Sequence, residues 1–125
     1  MFRSFALSRI RLLSLAAIVI VASALAGSAL AARTHATATT VKVAASEFKF
    51  VLSTKTAAAP GTITFNVVNK GHISHDFKID GKKTPLIAPG KSAKLTVTLK
   101  AGKYPYLCTV PGHAAAGMKG TFVVK

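Results

Sequence analysis

The sequence predicts an all-β domain, a two-sheet β-sandwich, preceded by an N-terminal signal peptide. Three observations carry that expectation. From Val41 onward the chain consists of short runs in which apolar residues recur at every second position, the pattern of strands with one buried and one wet face. Gly and Pro separate these runs at near-regular intervals. No window of the same region carries apolar residues at helical spacing.

The leader comes first in the chain. Residues 1–13, MFRSFALSRIRLL, hold Arg3, Arg9 and Arg11 without an acid and run into the uncharged SLAAIVIVASALAGSALAA. A basic entry, an apolar centre and a small-residue exit make a secretory signal peptide. Ala29-Leu30-Ala31 supplies the cleavage pattern, so 1–31 is the expected leader, with Ala24-Leu25-Ala26 as a second cut. An uncleaved anchor is the rival, because the apolar run approaches bilayer length. Either way the domain is expected outside the cytoplasm, periplasmic or secreted. Residues 32–40 lack periodicity and read as a flexible linker in which His35 is a solvated tail residue. The remaining 41–125 are enough for one domain.

Within that domain VKVAASEFKFVLS opens the strands and is expected to set Phe48, Phe50 and Leu52 on one side. Pro60-Gly61 suits a turn, and GTITFNVVN then places Ile63, Phe65 and Val67 two apart. HDFKI brings His75, Phe77 and Ile79 to one face and ends in Asp80-Gly81, a hairpin pair. After a second Pro-Gly turn at Pro89-Gly90, KSAKLTVTLK points Ala93, Leu95, Val97 and Leu99 inward. Gly102 separates it from YPYLC, and KGTFVV closes the chain, giving about seven strands.

Charge and cysteine narrow the function. The formal net charge is +14, from 17 Lys and Arg against 3 Asp and Glu. Such a balance raises nucleic acid as a partner. The thirteen Lys, however, are spread over the whole exported part, and no nucleic-acid motif accompanies them, so nucleic acid is not expected. A solvated lysine surface is one reading, and attraction to acidic partners, weakened by salt, is the other. The single Cys, Cys108, excludes an internal disulfide. An exported lone thiol is protected by burial or by a metal.

Its neighbours favour the metal. In YLCTVPGHAAAGMKG, Cys108, His113 and Met118 follow one another at five-residue steps across one loop between the last two strands. The ends of a loop that short lie a strand spacing apart, so the three side chains face a common point. A fourth donor comes from NKGHISHDF. There His75 shares the inward face of Phe77 and Ile79, whereas His72 falls in the preceding loop. Thiolate, imidazole and thioether are soft or borderline donors, a set that selects copper over magnesium, calcium or manganese. Each taken alone reads as core filler, a satisfied core histidine or a turn; the order and spacing of all four argue for one site.

At this point HDF…YLCTVPGHAAAGMKG resembles the cupredoxin family, the small blue copper proteins, over Val43 to Lys125 and including the Asn69-x-Gly71 lead into the first His. The resemblance implies a Greek-key fold and one type 1 copper ion. His75, Cys108 and His113 would form its trigonal plane, with Met118 as the distant axial ligand. It also implies a monomer that shuttles single electrons by Cu(II)/Cu(I) cycling between redox partners, here with acidic docking surfaces such as a cytochrome or oxidase would offer. Membrane attachment is expected only if the leader is retained. A copper carrier or storage protein is the alternative. Catalysis is not expected, since only His35 and His72 remain as further donors and no His-x-His pair occurs. One position departs from the family: Asp76 stands where Asn is common. An ionised carboxylate there favours Cu(II) over Cu(I) unless Thr109 hydrogen-bonds it or it takes up a proton.

Overall fold

Period-two alternation becomes two faces as soon as strands pair, and here it does so in two sheets. The computed structural model describes residues 37–125, so the expected leader 1–31, most of the linker and His35 lie outside the described residues. Strands β1 (Thr39–Ser46), β2 (Lys49–Leu52), β3 (Thr56–Ala57), β4 (Gly61–Asn69), β5 (Lys78–Ile79), β6 (Lys82–Lys83), β7 (Ser92–Leu99), β8 (Gly102–Leu107) and β9 (Lys119–Val124) follow in order. One sheet has the order β2-β1-β4-β7 and the other β3-β9-β8-β5-β6. β1 lies parallel to β4 and β3 parallel to β9; the remaining pairs are antiparallel. Among the described residues there is no helix. The result is the expected Greek-key sandwich.

The inward residues are those the alternation selects. Val41, Val43 and Ala45 of β1, Ile63, Phe65 and Val67 of β4, and Leu95, Val97 and Leu99 of β7 are buried against Ile79, Tyr106, Phe122 and Val124 of the second sheet. Phe65 sits at the centre, its ring 5.0 Å from that of Phe77 and 5.3 Å from that of Phe122. Each such side chain contributes roughly 1.5–3 kcal/mol by leaving water.

Turns follow the local chemistry with one exception. Asp80 (φ 51°) and Gly81 (φ 71°) both take positive φ, as the tight β5–β6 hairpin demands. Gly90 (φ 76°) follows Pro89, and Lys91 N–H donates to Ala88 O at 3.0 Å, closing the Pro-Gly turn. Pro60-Gly61 is not such a turn: Gly61 is already the first residue of β4, and a Cβ there would lie 2.5 Å from Thr37 O.

Other differences have equally local causes. β1 begins inside the expected linker, because Thr39 and Thr40 find partners in Ile63 and Thr64 of the long β4. The extra strands, β3 and β6, are two-residue pairings, too short to show a period. Phe48 does not join Phe50 and Leu52; it falls in the β1–β2 turn and is 40% exposed.

Candidate metal centre

At one end of the sandwich the last residue of β8, the first of β9 and the first of β5 stand side by side, Leu107 opposite both Lys78 and Lys119. The residues just beyond these ends are the four predicted from the sequence. Cys108 follows Leu107, and its N–H donates to Met118 O at 3.1 Å, closing the loop that carries His113. That loop is braced by its own backbone. His113 N–H donates to Val110 O and Met118 N–H to His113 O, both at 3.1 Å, and Ala116 N–H donates to Gly112 O at 3.0 Å. Gly112 (φ 82°) and Gly117 (φ 113°) supply the positive φ that so tight a path needs. His75 is held from the other side by a two-way backbone pairing with Ile87, at 3.1 and 2.7 Å.

Three donor atoms converge. His75 Nδ1 and His113 Nδ1 lie 3.2 Å apart, and Cys108 Sγ lies 3.5 Å from His113 Nδ1 and 4.0 Å from His75 Nδ1. The centre of that triangle is about 2 Å from each corner, close to the length of imidazole and thiolate bonds to a small metal ion. All three side chains are buried, as is Met118 on the same loop. Burial pushes the Cys108 thiol up from its ordinary value, so a cation is what would stabilise the thiolate there. The residues present therefore fit a soft metal ion.

The supporting shell contains a residue the sequence reading missed. Glu47, in the β1–β2 turn, accepts from His72 N–H at 2.7 Å and Ile73 N–H at 3.0 Å, and its Oε1 lies 3.2 Å from His75 Nε2. A carboxylate only accepts, so Nε2 carries the hydrogen and His75 Nδ1 is left free to face the centre. The two backbone donors hold the Glu47 carboxyl down to about 2. A Cβ on residue 71 would run into this carboxylate, so Gly71 leaves room for Glu47 to reach His75. Its only sequence signal is scarcity: it is one of 3 acids in the chain.

Asp76 and Asn69 tie the ligand-bearing segments together. Asp76 accepts from Thr109 N–H at 2.6 Å and from the Thr109 hydroxyl, and Lys83 Nζ lies 3.8 Å from its Oδ2. The carboxylate is thus compensated, and it binds the His75 segment to the residue after Cys108. Buried Asn69 donates to Ile73 O at 2.7 Å and Ile87 O at 2.8 Å and accepts from Gly71 N–H at 2.9 Å. His72 is not brought to the centre; its side chain is 95% exposed, with Nδ1 3.6 Å from Glu47. His113 is only 8% exposed, and the ring of Phe48 stands edge-on to it at 4.9 Å.

A Greek-key sandwich closing over two imidazoles, a thiol and a thioether-bearing loop defines a protein that holds one soft metal ion. The chain belongs to the plastocyanin/azurin family of copper binding proteins, whose family model matches residues 29–125, and copper is its cofactor. Among curated proteins it is 45% identical over 49 residues to the copper-resistant cuproprotein CopI of Pseudomonas aeruginosa and 48% identical over 42 residues to auracyanin-B of Chloroflexus aurantiacus. Those stretches cover 38% and 33% of this chain, but only 27% and 18% of the relatives. Among solved structures it is similar to a dithionite-reduced auracyanin from Roseiflexus castenholzii, with a TM-score of 0.61 and 25% identity, covering 70% of this chain and 97% of that one.

Proposed function

We propose that this chain is an exported electron carrier in which His75, Cys108, His113 and Met118 would hold one copper ion. When bound, copper supplies a one-electron couple, Cu(II)/Cu(I). The observation that carries the reading is the convergence of two Nδ1 atoms and one Sγ in a buried pocket whose walls are already hydrogen-bonded. Glu47 fixes the His75 ring, the Val110–Met118 backbone bonds fix His113, and Asp76 fixes the Cys108 turn. Ligands held this firmly rearrange little between oxidation states, which favours fast electron exchange over chemistry on a substrate.

The exit for the electron is the small apolar surface around the thin exposed edge of His113, where half-exposed Phe48 stands against its ring and Pro111 and Ala115 lie exposed on the same loop. A redox partner that docks there comes close to a copper ligand. The Lys-rich surface around it suits partners with acidic faces.

A copper carrier is the second reading, favoured by the exposed His72 beside Glu47 and by the word copper-resistant in the name of one relative. Both readings are tested on residues 32–125 loaded with one equivalent of Cu(II). An intense blue or green band with narrow copper hyperfine splitting, and copper that resists a competing chelator for hours, is expected of the electron carrier. A pale spectrum would remove Cys108 from the ligand set. A coloured protein that surrenders its copper within seconds would favour carriage.

A further inference from the structure

The outer face of the second sheet carries a charge arrangement that the metal centre does not explain. Lys78 of β5 stands directly opposite Lys83 of β6 on one side and Leu107 of β8 on the other, and Leu107 stands opposite Lys119 of β9. Directly opposed residues share a face. The next row, Ile79 with Tyr106, is buried, so the Lys83–Lys78–Leu107–Lys119 row points outward, its three lysines exposed and Leu107 half-buried. Four strands at the usual spacing make this a line roughly 14 Å long.

Like charges directly opposite each other in a ladder destabilise it. Lysine on an edge strand guards against sheet-to-sheet pairing, which accounts for Lys83 on β6. It does not account for Lys78, whose strand is paired on both sides, with Leu107 of β8 and Lys83 of β6; Lys119 is paired on the β8 side only, since β3 reaches β9 at Val123 and Val124. Nor is the line neutralised within the molecule. Lys83 reaches Asp76 at 3.8 Å, and among the described residues no carboxylate lies within ion-pair distance of Lys78 or Lys119. The rows below continue with Pro105 opposite Thr121 and Lys103 opposite Val123, without an acid.

The line also borders the metal centre. Leu107 precedes Cys108, Lys119 follows Met118, and Lys83 touches the carboxylate that holds Thr109. We propose that Lys83, Lys78 and Lys119 form the recognition line for an acidic protein partner, one that presents a row of carboxylates; its place in electron exchange rests on the electron-carrier reading, whereas the binding itself does not depend on copper. A single line of three lysines beside the metal centre matches carboxylates along one strand or helix of a protein better than a plane of lipid headgroups, which would also engage the uncharged Pro105–Thr121 row beneath it.

The test is a titration of the isotope-labelled protein, copper-free and copper-loaded, with a short oligoglutamate peptide followed by amide NMR. Saturable shifts centred on residues 78, 83, 107 and 119, in both forms and fading with salt, are expected. The triple variant Lys78→Gln, Lys83→Gln, Lys119→Gln should bind about tenfold more weakly, while Lys42→Gln with Lys94→Gln on the other sheet should bind as the parent does. Shifts spread evenly over both sheets, or a triple variant that binds unchanged, would overturn the proposal. So would protection of the row by vesicles containing phosphatidylglycerol without any response to the peptide, since the surface would then be a membrane contact. Binding in the copper-free form together with a failed blue spectrum would sink the electron-carrier reading and leave the line standing.

Discussion

Glu47 shows how a single exposed-side residue reaches a buried centre. Its carboxylate lies one imidazole ring away from the point where His75 Nδ1 faces Cys108 and His113, and a negative charge there stabilises the more positive oxidation state of a bound ion. Glu47→Gln keeps an acceptor for His75 and removes the charge. It is therefore expected to raise the reduction potential, on the order of tens of millivolts, with the blue band retained; voltammetry showing no change would refute the electrostatic role. The same residue predicts an acid limb. Because the folded-state carboxyl is held down from 4.5 to about 2 by the Ile73 and His72 N–H groups, its stabilisation is complete above pH 4.5 and fades as pH falls toward 2. That part of the acid-unfolding profile should flatten in Glu47→Gln.

At the scale of elements, the end of the sandwich is a set of loops whose own hydrogen bonds fix them before any metal arrives. Asn69 is the clearest case, because one buried amide serves Gly71, Ile73 and Ile87 and so joins the end of β4 to the His75 segment. Asn69→Ala leaves these groups without their partner and is expected to cost about 3 kcal/mol in chemical denaturation. Asn69→Asp, which keeps only the acceptor toward Gly71, should cost nearly as much, and a loss under 1 kcal/mol in both would show that water replaces the amide freely. This is also where sequence legibility divides. The alternation His75-Phe77-Ile79 and the Cys108-His113-Met118 steps were readable because each is written within one short segment. The Glu47–His75 contact joins residues 28 positions apart, and no local period records such a pairing; the Asp76–Thr109 bond, 33 positions apart, was foreseen only through the family resemblance. β3 and β6 escaped for the opposite reason, being too brief for a period to exist, and Phe48 broke the alternation because a turn, not a strand, holds it.

For the molecule as a whole, the four proposed ligands come from two stretches of chain, the segment before β5 and the connection between β8 and β9, so a bound ion acts as a cross-link of the fold. In the metal-free protein two imidazoles and a thiol are buried at 3.2 to 4.0 Å from one another, with Glu47 beside His75 and the backbone N–H groups of Asp76 and Val110 beside the thiol, a desolvated cluster whose cohesion is weak. Binding of copper to the folded chain alone stabilises it by about 4 kcal/mol when free metal exceeds its dissociation constant a thousandfold. A domain of this size gains roughly 4–8 °C per kcal/mol, so the melting temperature should rise by at least about 15 °C on loading. Cys108→Ala removes the thiolate and should lose most of that gain while the apo protein melts close to the parent, because a small buried side chain is replaced by another. Calorimetry showing equal melting temperatures with and without copper would mean that the cluster is held open by the sheets alone and that the ion contributes nothing to the fold. A rise that survives Cys108→Ala would place the stabilising site elsewhere, at donors such as His72 and Glu47, and would turn the argument toward copper carriage.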